Sequence, residues 1–225
     1  KFDAELEGIR TRVLQMGGMV ELQIVKAMEG LSEGDLLLID QVIENDNRVN
    51  HLEIELDEAC NQVIAKRQPT AVDLRMISTV QKTITDLERI GDEAKKIAKT
   101  AKQLHTAGSA FTPQIRLAHI ADAVVDMLRT SLDAYARLDT IAAAQVVRQD
   151  KEVDAEFKGI MRQLITYMME DPRTISQSIE LMFVAKSVER IGDHAKNIAE
   201  YLVYMVKGRD VRHTSLEEIE REATR

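Results

Sequence analysis

Residues 85–98 read TDLERIGDEAKKIA, and residues 186–199 read KSVERIGDHAKNIA. Nine of the fourteen positions are identical, and the block ERIGD is intact in both. The two glutamates, Glu88 and Glu189, stand 101 residues apart, and so do the two aspartates, Asp92 and Asp193. A fixed spacing of this kind is the mark of a tandem duplication. What both copies carry is a Glu and an Asp four residues apart, embedded in a helical pattern.

That pattern extends in both directions. Around the second block, Val188, Ile191, Ala195, Ile198, Leu202 and Met205 form a heptad seam. Leu87, Ile90, Ala94, Ile97 and Ala101 form its counterpart around the first. Glu189 follows a seam residue, and Asp193 lies only about 40° further round the helix. Both carboxylates therefore share one stripe beside the seam.

The rest of the chain fits helices throughout. Leu6, Ile9, Val13, Met16, Val20, Ile24, Ala27 and Leu31 predict a first helix over 3–31. Ser32-Glu33-Gly34-Asp35 breaks the pattern, and a second helix is expected over 35–66, ahead of Pro69. Thr70-Ala71-Val72-Asp73 resembles a capping box and opens a third helix running to about Leu104. Residues 105–112, with Gly108 and Ser109, read as a linker. Thr112-Pro113 reads as an N-cap with proline at N1, starting a helix over 113–138. Further helices are expected over 140–169 and 173–207, the last stopped by Gly208. Residues 209–225 read as a charged, partly ordered tail. Aromatics are 4% and strict alternation is missing, so strands are not expected. The expected fold is all-α: two tandem antiparallel three-helix bundles, at 1–107 and 108–208, related by duplication.

Composition limits the function. The net charge of −8 argues against binding nucleic acid or anionic lipid by charge. One cysteine, Cys60, allows neither an intrachain disulfide nor a CxxC zinc site, and suits a reducing compartment. No apolar run approaches the ~20 residues of a membrane span. No signal peptide is expected at the start of the sequence, at Lys1.

The acids carry the chemistry. Asp150 and Asp154 lie four residues apart outside Val153, and packing against the last long helix would gather Asp150, Asp154, Glu189 and Asp193 into one patch. The first repeat offers Asp46, Asn50, Glu88 and Asp92, one charge fewer. Oxygen-only clusters suit hard cations such as magnesium, calcium, manganese or iron. Acids beside a seam are ordinarily a solvated helix face. Here each pair repels itself by ~0.2–0.5 kcal/mol. Gly91 and Gly192 add ~1 kcal/mol each relative to Ala inside a helix. Both penalties occur in both copies, which points to close approach and cation binding.

Other features read more blandly. Gly17-Gly18 suggests a close helix crossing or kink. His194 is expected at the surface, Cys60 in the apolar core. Arg89 and Arg190 are either surface charges or anchors for an anion or a neighbouring helix. Met161, Met168, Met169 and Met182 are core filler or a partner surface. No nucleophile stands with a positioned His, and no Gly-rich phosphate cradle exists, so an enzyme is not expected. An oxygen-activating carboxylate-bridged metalloenzyme, or a metal-storage helical protein, is the alternative; the missing ExxH pairs argue against it.

The duplicated ERIGD blocks, each ending in K-x-I-A, resemble the PhoU family of phosphate-uptake regulators. So do Lys66-Arg67-Gln68-Pro69-Thr70 and Met168-Met169-Glu170-Asp171. The resemblance covers nearly the whole chain. It implies two three-helix bundles related by a pseudo-twofold. It implies divalent or trivalent metal ions (manganese, magnesium, iron or zinc) in surface clusters held by E(D)xxxD patterns. Glu88 and Asp92, Glu189 and Asp193, and Asp150 and Asp154 match that pattern; Asp46 matches with Asn50 as a departure. It further implies a negative regulator of phosphate uptake and of the phosphate-starvation response. Such a protein is a cytoplasmic homodimer, peripheral to the inner membrane through its partners. Those partners are the ATPase subunit of a phosphate ABC transporter and the sensor histidine kinase of the phosphate regulon.

Overall fold

The computed structural model describes residues 2–108 and 111–225. Seven α-helices and no strand occur among them. They are α1 (Phe2–Glu33), α2 (Leu36–Arg67), α3 (Ala71–Ala107), α4 (Ala118–Arg137), α5 (Thr140–Glu170), α6 (Ile175–Lys207) and α7 (Leu216–Thr224). A 3-10 turn at Pro172–Thr174 leads into α6. Helices α1, α2 and α3 pack on one another, as do α4, α5 and α6. Contacts of α3 with α6 and of α1 with α4 join the two bundles.

The seams expected from the sequence are the core. Leu87, Ile90, Ala94, Ile97 and Ala101 are buried on α3; Val188, Ile191, Ala195, Ile198, Leu202 and Met205 are buried on α6. Cys60 is fully buried, and burial lifts its thiol to about 11, so it packs as an apolar group. At Gly17 a Cβ would lie 2.6 Å from Leu132 Cδ1, so this glycine sets the α1–α4 crossing. Gly18 faces open space.

Punctuation follows known chemistry with three differences. Asp35 and Asp139 cap α2 and α5 by accepting from Leu37 N and Ala142 N, and Gly208 ends α6 at φ 78°. Thr70 caps α3 differently: its hydroxyl donates to Asp73 Oδ2 at 2.9 Å, and no backbone N–H is bonded. Pro113 does not open α4, which starts at Ala118. Pro113 and Leu117 are buried and Ile115 half-buried, so every second residue is held against the protein, and these contacts win over an extra helical turn. Gly108 ends the third helix, and Ser109 lies outside the described residues. The third difference is the C-terminal segment, which forms α7 instead of a loose tail. Leu216, Ile219 and Ala223 bury one stripe, Thr140 Oγ1 donates to Ala223 O at 2.7 Å, and Arg148 pairs with Glu220 at 2.6 Å.

Candidate metal centre

Helix α5 brings Asp150 and Asp154 against Asp193 of α6. Each offers one oxygen, and these atoms lie within 4.8 Å of one another; it is the one such group of three among the described residues. Asp150 is 4% exposed. Its Oδ1 and the Oδ1 of Asp154 are buried and accept no hydrogen bond. Lys196 reaches Asp150 only at 3.9 Å. Glu189 completes the patch one turn before Asp193 and is held by Lys186 at 2.8 Å.

Electrostatics follow from this crowding. Burial first, and Asp154 second, push Asp150 up to about 6. Burial, with Glu189, Asp150 and Asp154 close by, pushes Asp193 up to about 7. Asp154 is raised by burial and by Glu189. Four carboxylates here face two nearby lysines, Lys186 and Lys196, so the cluster keeps an excess of negative charge.

Gly192 makes the approach possible. A Cβ there would lie 3.5 Å from Asp150 Oδ1 and 3.3 Å from Val124 Cγ1. The glycine that weakens α6 thus lets α5 deliver its carboxylate against the α6 backbone. Gly91 does the same for Asp46, whose Oδ1 would lie 3.5 Å from a Cβ.

The first repeat is a looser copy. Asp46 is 2% exposed with its Oδ1 unpartnered. Its Oδ2 takes Asn50 Nδ2 at 3.4 Å and Lys95 at 3.5 Å. Glu88 is raised by burial, then by Asp92 and Asp46. Asp92 is paired with Lys96 at 3.3 Å. Asn50 replaces a carboxylate and Lys96 supplies an internal cation, so no tight oxygen triad forms. In both repeats one aspartate, Asp46 or Asp150, is buried. Glu88, Asp92, Asp154, Glu189 and Asp193 are only half-buried, so each patch runs from one buried carboxylate out to the bundle surface.

The sequence reading missed a second polar row. Thr79, Asp86 and Glu93 recur every seven residues on α3, as do Ser187, His194 and Tyr201 on α6. Thr79, Asp86, Glu93 and Ser187 are buried. His194 is half-buried, not a free surface residue: its Nδ1 lies 2.7 Å from Asp86 Oδ1, which also accepts from Asn197 at 3.2 Å. Arg190 reaches Glu93 at 3.7 Å and so anchors the neighbouring helix, whereas Arg89 is exposed. The heptad spacing of these polar residues was the available signal.

Comparison with known proteins agrees with the duplicated helical plan. The PhoU domain family model matches residues 13–101 and again 117–202. The chain belongs to the PhoU family. It is 48% identical to the phosphate-specific transport system accessory protein PhoU of Escherichia coli (strain K12), over 98% of this chain and 91% of that protein. It is also 48% identical to the PhoU homolog of Pseudomonas putida, over 96% of this chain and 84% of that one. The crystal structure of PhoU from Pseudomonas aeruginosa superposes with a TM-score of 0.89 at 46% identity, covering 93% of this chain and all of that one. A phosphate transport system regulatory protein PhoU from Streptococcus pneumoniae gives 0.87 at 26% identity, covering 94% and 99%.

Proposed function

We infer that this PhoU-family chain is a non-enzymatic accessory protein of a phosphate transport system. It restrains phosphate uptake and keeps the phosphate-starvation response off when phosphate is plentiful. The supporting observation is the near full-length likeness to relatives named for that role. It acts as an adaptor between the ATPase subunit of a phosphate ABC transporter and a sensor histidine kinase, as a cytoplasmic homodimer. No described helix is long and apolar enough to cross a membrane.

The acid clusters bind cations. The unpartnered, buried Oδ1 atoms of Asp150 and Asp154 support this: such atoms are destabilising unless a cation or proton faces them. Asp150, Asp154, Asp193 and Glu189 would hold the ion in the second repeat, and Asp46, Glu88 and Asp92, with Asn50, in the first. All-oxygen donors suit manganese, magnesium or iron; zinc is the poorer match. A bound cation neutralises the stripe, fixes the α5–α6 approach and supports contacts with partners.

The test is a deletion strain carrying a phosphate-starvation reporter, with pull-down of the ATPase subunit and the kinase by the purified chain. Reporter release in high phosphate and capture of both partners are expected. Normal repression in the deletion strain would remove the regulatory reading, and turnover of a substrate by the pure protein would remove the non-enzymatic one.

A further inference from the structure

A groove of about 690 Å³ opens where the two bundles meet, between the C-terminal part of α1, the non-helical stretch 112–117 and the start of α4. Val25, Met28, Leu31 and Ile115 line it and are only half-buried, although they pack on the core. Behind them, Ala121 and Leu181 are buried. One end is closed by His105, whose Nε2 sits 2.8 Å from the α1 carbonyl of Leu31.

The rim is acidic. Glu29 and Glu33 of α1 and Asp122 of α4 stand exposed around the opening, against one guanidinium, Arg116. Some acids elsewhere are paired across helices, as in Arg12–Glu55, Lys102–Asp40 and Arg148–Glu220, and others, such as Glu44, Glu58 and Glu170, stand exposed away from this groove. Glu29, Glu33 and Asp122 have no such partner among the described residues. An apolar trough with three unpaired carboxylates on its lip is complementary to an apolar surface flanked by cations.

We propose that this groove seats an amphipathic helix of a protein partner, with lysine or arginine beside its apolar face. The dimensions agree. From Ile24 to Glu33 the α1 wall runs about 14 Å, enough for anchors at i, i+3 or i+4, and i+7 of a docked helix. Opposing it, α4 offers about 12 Å from Leu117 to Val125. The net charge of −8 and the acidic rim repel an anionic occupant. Which protein carries the helix rests on the adaptor reading; the groove's chemistry does not.

The probe is a fluorescein-labelled helical peptide of leucines at i, i+3/i+4 and i+7, flanked by lysines, titrated into the full chain by anisotropy. Two comparison peptides are used: the same composition scrambled, and glutamates in place of lysines. Both are expected to bind at least tenfold more weakly. Glu29→Lys/Glu33→Lys/Asp122→Lys should weaken the lysine peptide at least tenfold. Ala118→Trp, at an exposed position on the wall, should do so by filling the space. A charge-matched variant on distant exposed sites, Glu44→Lys/Glu58→Lys/Glu170→Lys, should change binding less than threefold. Equal binding of the scrambled or glutamate peptide, or equal loss in the distant variant, overturns the proposal. All of these read binding in vitro, so their failure is separate from any failure of phosphate regulation in cells.

Discussion

His194 Nδ1 and Asp86 Oδ1 meet at 2.7 Å across the α3–α6 contact, so a residue beside the second acidic stripe holds an acid beside the first. Asp86 is 2% exposed and is also held by Asn197 and Tyr201, on the same helix as His194. One helix therefore satisfies a buried carboxylate on the other. His194→Ala should destabilise the protein by about 1–3 kcal/mol, since a buried acceptor loses its closest donor. His194→Gln, which can still donate, should lose less. Urea unfolding with an unchanged slope measures both, and an unshifted His194→Ala midpoint would show the contact to be incidental.

Metal affinity should be greater in the second repeat. Asp154 contributes an unpartnered oxygen to a tight triad, whereas the Asp92 side chain is 44% exposed and already paired with Lys96. Isothermal titration with manganese should show Asp154→Asn losing at least tenfold more affinity than Asp92→Asn, about 1.4 kcal/mol. Equal losses would mean that the extra carboxylate of Asp154, which has no ion-pair partner of its own among the described residues, does not decide affinity.

Substitutions at Gly192 should separate backbone effects from site effects. Ala gains up to ~1 kcal/mol of helix propensity. Its Cβ must be absorbed at 3.3–3.5 Å from Val124, Asp150 and Val153, so stability should change little. Leu adds three more carbons where α4 and α5 leave no room, which typically destabilises a core by about 1–3 kcal/mol. Gly192→Leu should also lose manganese binding, because the new side chain displaces Asp150. Thermal melting and titration of both variants check this; normal metal content in Gly192→Leu would leave the glycine unexplained.

The metal-free protein should lose stability as pH rises from about 4 to about 7. Asp150 and Asp193 are raised above the ordinary carboxylate value of 3.8, to about 6 and about 7. Between the unfolded and folded values the native state holds more protons than the unfolded state, so stability falls with pH there and levels off above. Asp154, Glu88 and Glu200 shift in the same direction. Melting temperatures in chelator from pH 5 to 8 should decline, and Asp150→Asn should flatten the decline. Adding manganese at pH 8 should reverse it. A melting temperature that climbs over this range would contradict the crowding of these acids.

The helices were legible because their evidence is periodic. Seams at Leu87–Ala101 and Val188–Met205 need no knowledge of distant chain, and Gly208 stops α6 by its own φ. Boundaries set by tertiary contacts were not legible. The proline at 113 is good N1 chemistry, but burial of Leu117 and Pro113 keeps that stretch out of the helix. The charged composition of 209–225 hid the stripe of Leu216, Ile219 and Ala223, which is short and visible only once α5 offers it a surface. The ERIGD acids stood out through duplication. The depth of Asp46 and Asp150 did not, since helical angle gives a side but not the width of the cleft it faces. The heptad of Thr79, Asp86 and Glu93 was in plain view, yet polar residues at seam spacing read as surface until a partner helix is placed on them.

Replacing Glu189 and Asp193 together by Ala tests whether the second stripe serves regulation or architecture. Two like charges on one helical stripe repel by ~0.2–0.5 kcal/mol, and Ala has the higher helix propensity, so α6 alone gains. Against this stands the loss of the Glu189–Lys186 pair, which is partly exposed and contributes little. Removing Asp193 also relieves Asp150 and Asp154 of a crowding neighbour, so the metal-free fold should melt no lower than the parent. If cation binding supports regulation, the variant in cells should release a phosphate-starvation reporter in high phosphate while keeping its melting point. Unchanged repression would make the second stripe dispensable and leave the helix faces and the groove as the regulatory surfaces. Loss of repression together with a much lower melting point would instead assign the acids a structural role, with their cation serving to hold α5 against α6.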